Sequence, residues 1–181
     1  ATARAPFMSE KMYRELILPF HDREAKFARD RGLPITMHCC GQCTDLIDDW
    51  ISIGVNLWNP AQTSNDLKAI KAKYGNKLVI AVGYDMTDRL LDPECTEEEI
   101  RESVRKTIDG LAAGGGYCFC GAFLGATGDM VAARKNQILL DEVYKYGATF
   151  YGYDLSIQKG FTDGKGYTGT GFLSMSVKVD N

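Results

Sequence analysis

Two hydrophobic patterns alternate along the chain. Short apolar runs bounded by glycine or proline are followed by stretches in which apolar residues recur every three to four positions. The first pattern predicts buried strands and the second amphipathic helices. A helix is predicted over residues 9–31, with Ser9 as its cap, Gly32 as its stop, and Met12, Leu16, Phe20 and Phe27 on one side. Pro19 must kink or divide it. A strand follows over 33–39, then a Thr44-capped helix to Ile53 ended by Gly54, and a strand over 55–58 closed by Asn59-Pro60. Ser64 opens a helix to Tyr74, ended by Gly75, and the continuous apolar run 78–83 reads as a strand covered on both faces. After a polar loop over 84–95, Thr96-Glu97-Glu98-Glu99 is a capping box for a helix reaching Ala113. Three glycines lead into a strand over 117–120, and a last amphipathic helix covers 129–146 with Gly147 at its end.

Strand–helix alternation of this kind means an α/β fold with parallel strands and right-handed crossovers. Two architectures accommodate it: an open doubly wound sheet, or part of a (β/α)8 TIM barrel. Eight such units normally take about 250 residues, so four in the first 150 make half a barrel. Residues 150–181 break the pattern. They are rich in Gly, Thr, Tyr and Ser, and segments 155–158 and 172–179 suggest a β-hairpin around Asp163-Gly164-Lys165-Gly166.

Composition narrows the function classes. The 181 residues are 45% hydrophobic and 25% charged, as in a globular protein. A formal charge of −3 and a pI near 5.4 give no reason to expect nucleic acid or an anionic membrane as a partner. No apolar run approaches a membrane span, and no signal peptide opens the sequence. Five of the six cysteines cluster at two strand ends, Cys39, Cys40 and Cys43 at one and Cys118 and Cys120 at the other, with Cys95 apart. That arrangement favours a cytoplasmic protein with thiols kept free for metal or chemistry.

In a parallel sheet of this type the site lies at the C-terminal ends of the strands. Those ends carry His38 and Cys40, Asn59 and Gln62, Tyr84 and Asp85, and Cys118 and Cys120. Strand side chains alternate faces, so His38 and Cys40 point one way and Cys39 the other. Cys118 and Cys120 likewise share a face, with Phe119 opposite. An imidazole and thiolates converging on one point are zinc ligands, and a His-Cys-Cys set leaves zinc's fourth position open for a reactant. Other readings stand beside this one. Cys39 and Cys95 read as small buried hydrophobes, His21 as a surface or packing residue, and Asp85 as a loop cap. Cys40-Gly-Gln-Cys43 also matches C-x-x-C, a redox pair or half a structural zinc knuckle.

The residues Met37-His38-Cys39-Cys40-Gly41 match an H-x-C-G motif. Together with the 7–21 segment, Leu57-Trp58-Asn59-Pro60-Ala61-Gln62, Gly114-Gly115-Gly116-Tyr117 and Cys120-Gly121, they make the chain resemble the uroporphyrinogen decarboxylase-like superfamily, in particular its zinc-dependent, corrinoid-linked methyltransferases. The similarity runs over about residues 7–147. The resemblance implies a (β/α)8 barrel with zinc held by His38, Cys40 and a last-strand cysteine, Cys120 or alternatively Cys118. It implies methyl transfer between a cobalamin on a partner corrinoid protein and a small thiol or methylated substrate, as in anaerobic one-carbon metabolism. Asn59, Gln62, Tyr84 and Asp85 are the substrate-binding candidates. Only the second half of that barrel is present, so the resemblance implies that the first half comes from the same or another polypeptide. The sequence after Cys120-Gly121 lacks the family's proline-containing loop, and the tail has no family counterpart.

Two other functions fit the same residues. Porphyrinogen decarboxylation needs cationic and acid–base groups around several carboxylates and uses no metal in this fold; that branch carries a histidine near its last strand, where this chain has cysteine. A non-catalytic interaction module would close the zinc with protein ligands alone, adding Cys43.

Overall fold

The computed structural model describes residues 1–86 and 88–152. The suggested hairpin of the tail lies outside the described residues. Four strands, β1 (Thr36–His38), β2 (Leu57–Ala61), β3 (Val79–Gly83) and β4 (Tyr117–Cys120), form one sheet in the order β1-β2-β3-β4. Every neighbouring pair is parallel. The six α-helices are α1 (Glu10–Leu16), α2 (Leu18–Arg29), α3 (Ile47–Ser52), α4 (Leu67–Tyr74), α5 (Glu97–Leu111) and α6 (Met130–Phe150).

The strand order is compatible with part of a barrel wall. A doubly wound sheet reverses direction at a switch point, so its spatial and sequence orders differ. Here the orders coincide. Successive right-handed crossovers then place their helices on one face, which is the winding of a barrel wall. The burial pattern agrees. Tyr117 and Phe119 of β4 are buried, whereas Cys118 and Cys120 between them are half-buried on the opposite face. Trp58, Ile80, Trp50, Ile100, Val104 and Leu139 are among the side chains of the core between sheet and helices.

Local chemistry explains most element boundaries. Ser9 accepts from the Met12 amide and caps α1. Pro19 divides the first helix rather than kinking it: Ile17 separates α1 from α2, and the proline sits in the first turn of α2, where its missing N–H costs no helical bond. Thr96 and Glu99 form the reciprocal capping box of α5. Glu142, buried on α6, takes Arg101 at 2.7 Å and Arg105 at 2.9 Å, tying α5 to α6.

Four boundaries depart from the sequence reading. Thr44 does not cap its helix; its hydroxyl contacts Gln42 and Asn65, and residues Thr44–Leu46 form a 3-10 turn leading into α3. Asp66, not Ser64, caps α4, accepting from Ala69 at 3.0 Å. The second strand does not stop at Asn59-Pro60 but runs through it to Ala61. Its register with β3 shifts between Trp58 and Ala61, so the proline occupies an irregularity where no ladder donor is needed. Gly147 does not end α6, which continues to Phe150; the glycine is buried and its carbonyl accepts from the Tyr151 amide.

Candidate metal centre

β1 is short, and the chain after His38 turns at Gly41. That glycine has φ +87, and a Cβ there would run into the backbone of Thr2. The turn is held from several sides. Gln62 accepts the Gly41 amide at 2.5 Å, and the Trp58 indole donates to the Cys39 carbonyl at 2.9 Å. Asn65, only 4% exposed, spans the gap between the loops after β1 and β2. Its oxygen accepts the Cys43 amide at 2.8 Å, and its amide group donates to the carbonyls of Gly41 and Gln62 at 2.9 Å each. With the Thr44 hydroxyl as the second donor to its oxygen, at 3.1 Å, every hydrogen-bonding direction of this side chain is used.

This scaffold presents His38 and Cys40 together. The Cys40 sulfur lies 3.8 Å from His38 Nε2, and both residues are exposed on the sheet's helix-free side. Ordinary zinc–nitrogen and zinc–sulfur bonds at a tetrahedral angle separate the two donors by about 3.5 Å. The pair therefore fits one edge of a zinc coordination tetrahedron. Cys118 and Cys120 project from the same side of β4, level with Ala81 and Gly83 of β3. Burial pushes both thiols up from their ordinary range, and Cys118 adds to the effect on Cys120. A bound cation reverses that preference, because a coordinated thiol gives up its proton.

The structure brings together two of the three expected ligands. β2 and β3 stand between β1 and β4. Three interstrand steps amount to about 14 Å along the sheet. Among the described residues no three His, Cys, Asp or Glu side chains gather closely enough to hold a metal ion.

The remaining candidates are placed as follows. Gln62 serves the turn. Asn59 sits beside His38 in the β1–β2 register, and Asp85 is exposed on the loop after β3. Tyr84 is turned to the helix side: it is 4% exposed, stacks on Phe119 with ring centroids 5.2 Å apart, and its hydroxyl meets Ser103 of α5 at 2.8 Å. Burial pushes its pKa up to about 12. His21 bonds the Tyr13 hydroxyl at 2.9 Å, a packing role. Cys43 is fully buried and its sulfur lies 3.3 Å from that of Cys39, on the core side of the turn. All six cysteines are free thiols. Hydrogen bonding from Cys43 holds the Cys39 thiol below its usual range, against the opposing effect of burial, and pushes Cys43 up.

The family model for uroporphyrinogen decarboxylase (URO-D) matches residues 2–127, from the segment beside Gly41 through β4 and the loop beyond it. The chain belongs to the uroporphyrinogen decarboxylase family. A comparison with curated proteins finds no match. For a member of this enzyme family, the matched span contains both cysteine clusters and all four strand ends. Among the described residues of this URO-D family chain, no helix is long and apolar enough to cross a membrane.

Sequence reasoning missed Asn65 and the Trp58 indole. Asn65 stands beside Asp66 at a helix start, where an amide side chain can bridge loops, but its partners Cys43 and Gly41 lie 22 and 24 positions away. The Trp58 contact has no sequence signal, since it joins an indole to a backbone carbonyl 19 positions away.

Proposed function

We propose that this chain is the metal-bearing part of a cobalamin-linked methyltransferase of the uroporphyrinogen decarboxylase family. The observation that carries the reading is the His38–Cys40 pair, 3.8 Å apart at a strand end and on the same side of the sheet as Cys118 and Cys120. Zinc would be held by His38 Nε2, the Cys40 sulfur and a β4 cysteine, Cys120 or alternatively Cys118. When bound, it supplies a Lewis acid that holds a thiol or another heteroatom and lowers its pKa. The chain's own residues do the positioning. Gln62, Asn65 and Trp58 fix the turn that carries Cys40, and Asn59 and Asp85 flank the place where a small substrate meets the ligands. The mouth of the barrel, at the C-terminal ends of the strands, receives the corrinoid of a partner protein.

On this reading residues 1–149 are the C-terminal half of a (β/α)8 barrel, and residues 150–181 form a separate tail. Two features support that. The outer helices α1 and α2 expose Met12, Leu16, Phe20 and Phe27, a line of large apolar side chains. A cleft of about 330 Å³ runs beside β1, lined by His21, Glu24, Ala28, Pro34, Thr36 and Met37. Four further strand–helix units, from the same or another polypeptide, would cover both, and closure of the wall would bring β4 towards β1.

Decarboxylation is the second reading, favoured by the description of the matching family itself. It requires cationic groups around several substrate carboxylates. In the described loops directly after the strands the one arginine, Arg89, is tied to Glu99 and Asp92.

The test is demethylation of methylcobalamin with small thiols by the zinc-loaded chain completed with the first four strand–helix units, followed by the cobalamin spectrum. Thiol-dependent loss of the methyl group that disappears in His38→Ala is expected. Decarboxylation of a porphyrinogen by the metal-free chain, without methyl transfer, would replace this reading with the second.

A further inference from the structure

The three cysteines around the first turn divide into two functions. Cys40 faces His38, whereas Cys39 and Cys43 face each other with their sulfurs 3.3 Å apart. Cys43 is fully buried and also approaches the carbonyls of Cys39 and Cys40, at 3.7 Å and 3.4 Å. Cys43 is thus enclosed by the turn, while Cys39, a half-buried residue, is the more accessible of the two. A disulfide needs a sulfur–sulfur distance of about 2.05 Å, so closure requires a movement of roughly 1.3 Å.

We propose that Cys39 and Cys43 are a reversible thiol–disulfide site oxidised by low-molecular-weight disulfides. Cys39, its proton passed to solvent, attacks one sulfur of the small disulfide RSSR. That S–S bond breaks, a mixed disulfide forms on Cys39, and the leaving thiolate takes up a proton as RSH. Cys43, losing its proton in turn, attacks the Cys39 sulfur and expels the second RSH. Two cysteine thiols are oxidised to one disulfide, and one RSSR is reduced to two RSH. The bridge closes behind the turn and leaves the Cys40 sulfur on the His38 side. This bridging does not depend on the zinc reading, since neither sulfur belongs to the proposed ligand set.

The experiment equilibrates the metal-free full chain with mixtures of reduced and oxidised glutathione, blocks the remaining thiols by alkylation, and maps the tryptic peptide covering residues 32–68. The expected product carries an internal disulfide between Cys39 and Cys43 with Cys40 alkylated. It is expected to persist in Cys40→Ser and to vanish in both Cys39→Ser and Cys43→Ala. Oxidation in urea serves as the control, and there the pairing is expected to scatter over all three cysteines. A bridge involving Cys40 in the folded chain, the same selectivity in urea, or three alkylated cysteines at the oxidising end of the series would each overturn the proposal. None of these outcomes bears on whether His38 and Cys40 bind zinc.

Discussion

The Nε2 of His38 and the Sγ of Cys40 lie 3.8 Å apart, two residues apart in sequence and on one side of the sheet. That separation follows from strand alternation continued past the end of β1, with the turn at Gly41 fixing the second side chain. Neither residue makes the geometry alone. The loop after β2, through Gln62 and Asn65, sets where the turn stands.

Asn65 is therefore expected to matter for stability and for the site together. Replacing it with alanine strands the buried Cys43 amide and the Gly41 carbonyl, at a cost of about 2–3 kcal/mol. Urea denaturation of Asn65→Ala should show that loss. Asn65→Asp keeps the acceptor for Cys43 but loses both donors, and is expected to be destabilised as well. An Asn65→Ala midpoint equal to wild type would contradict the bridging role.

Tyr84 offers a test of which side of the sheet faces which layer. Its hydroxyl meets Ser103 of α5 in the packed layer, away from His38 and Cys40. Tyr84→Phe is expected to cost about 1 kcal/mol in stability. Zinc affinity should stay unchanged. A weakened metal or substrate interaction with no stability loss would place Tyr84 on the other side.

Acid sensitivity should appear at the start of α5. The Arg89 guanidinium, followed by hydrogen bonds from the Thr96 backbone and side chain, holds the Glu99 carboxyl down to about 2. The folded state thus favours the ionised form. Its contribution is complete above the unfolded value of about 4.3 and disappears as pH falls through about 2. Urea midpoints of wild type and Glu99→Gln should differ at pH 6 and converge as pH approaches 2. A constant difference across that range would show that Glu99 acts without its charge.

Much of the fold was legible because each unit carries its own local signal. The Thr96–Glu99 capping box, the apolar run of β3 and the alternation across Tyr117, Cys118, Phe119 and Cys120 are all readable from neighbours in sequence. The errors share a cause. Pro60 looked like a strand terminator, and only the shifted β2–β3 register makes room for it. Gly147 looked like a helix stop, and burial in α6 holds it within the helix. Ser64 reads as a cap, but Asp66 caps α4 and Asn65 between them is committed to another loop. The coincidence of spatial and sequence strand order, compatible with a barrel wall, is a property of the whole sheet that no single segment encodes. The pairing of His38 with Cys40 was visible from period-two spacing, but the separation of β1 from β4 by two strands depends on the whole sheet.

The most direct test is the metal content of the chain and its ligand variants after zinc loading and removal of excess metal. In a barrel completed by the first four strand–helix units, one zinc is expected, lost in His38→Ala and Cys40→Ala and in one of Cys118→Ser and Cys120→Ser, while the other retains it. In the cobalt-substituted chain, Cys40→Ser should also weaken the thiolate-to-cobalt absorption. A completed barrel without stoichiometric zinc, or one whose zinc survives both His38→Ala and Cys40→Ala, would contradict the proposed metal centre.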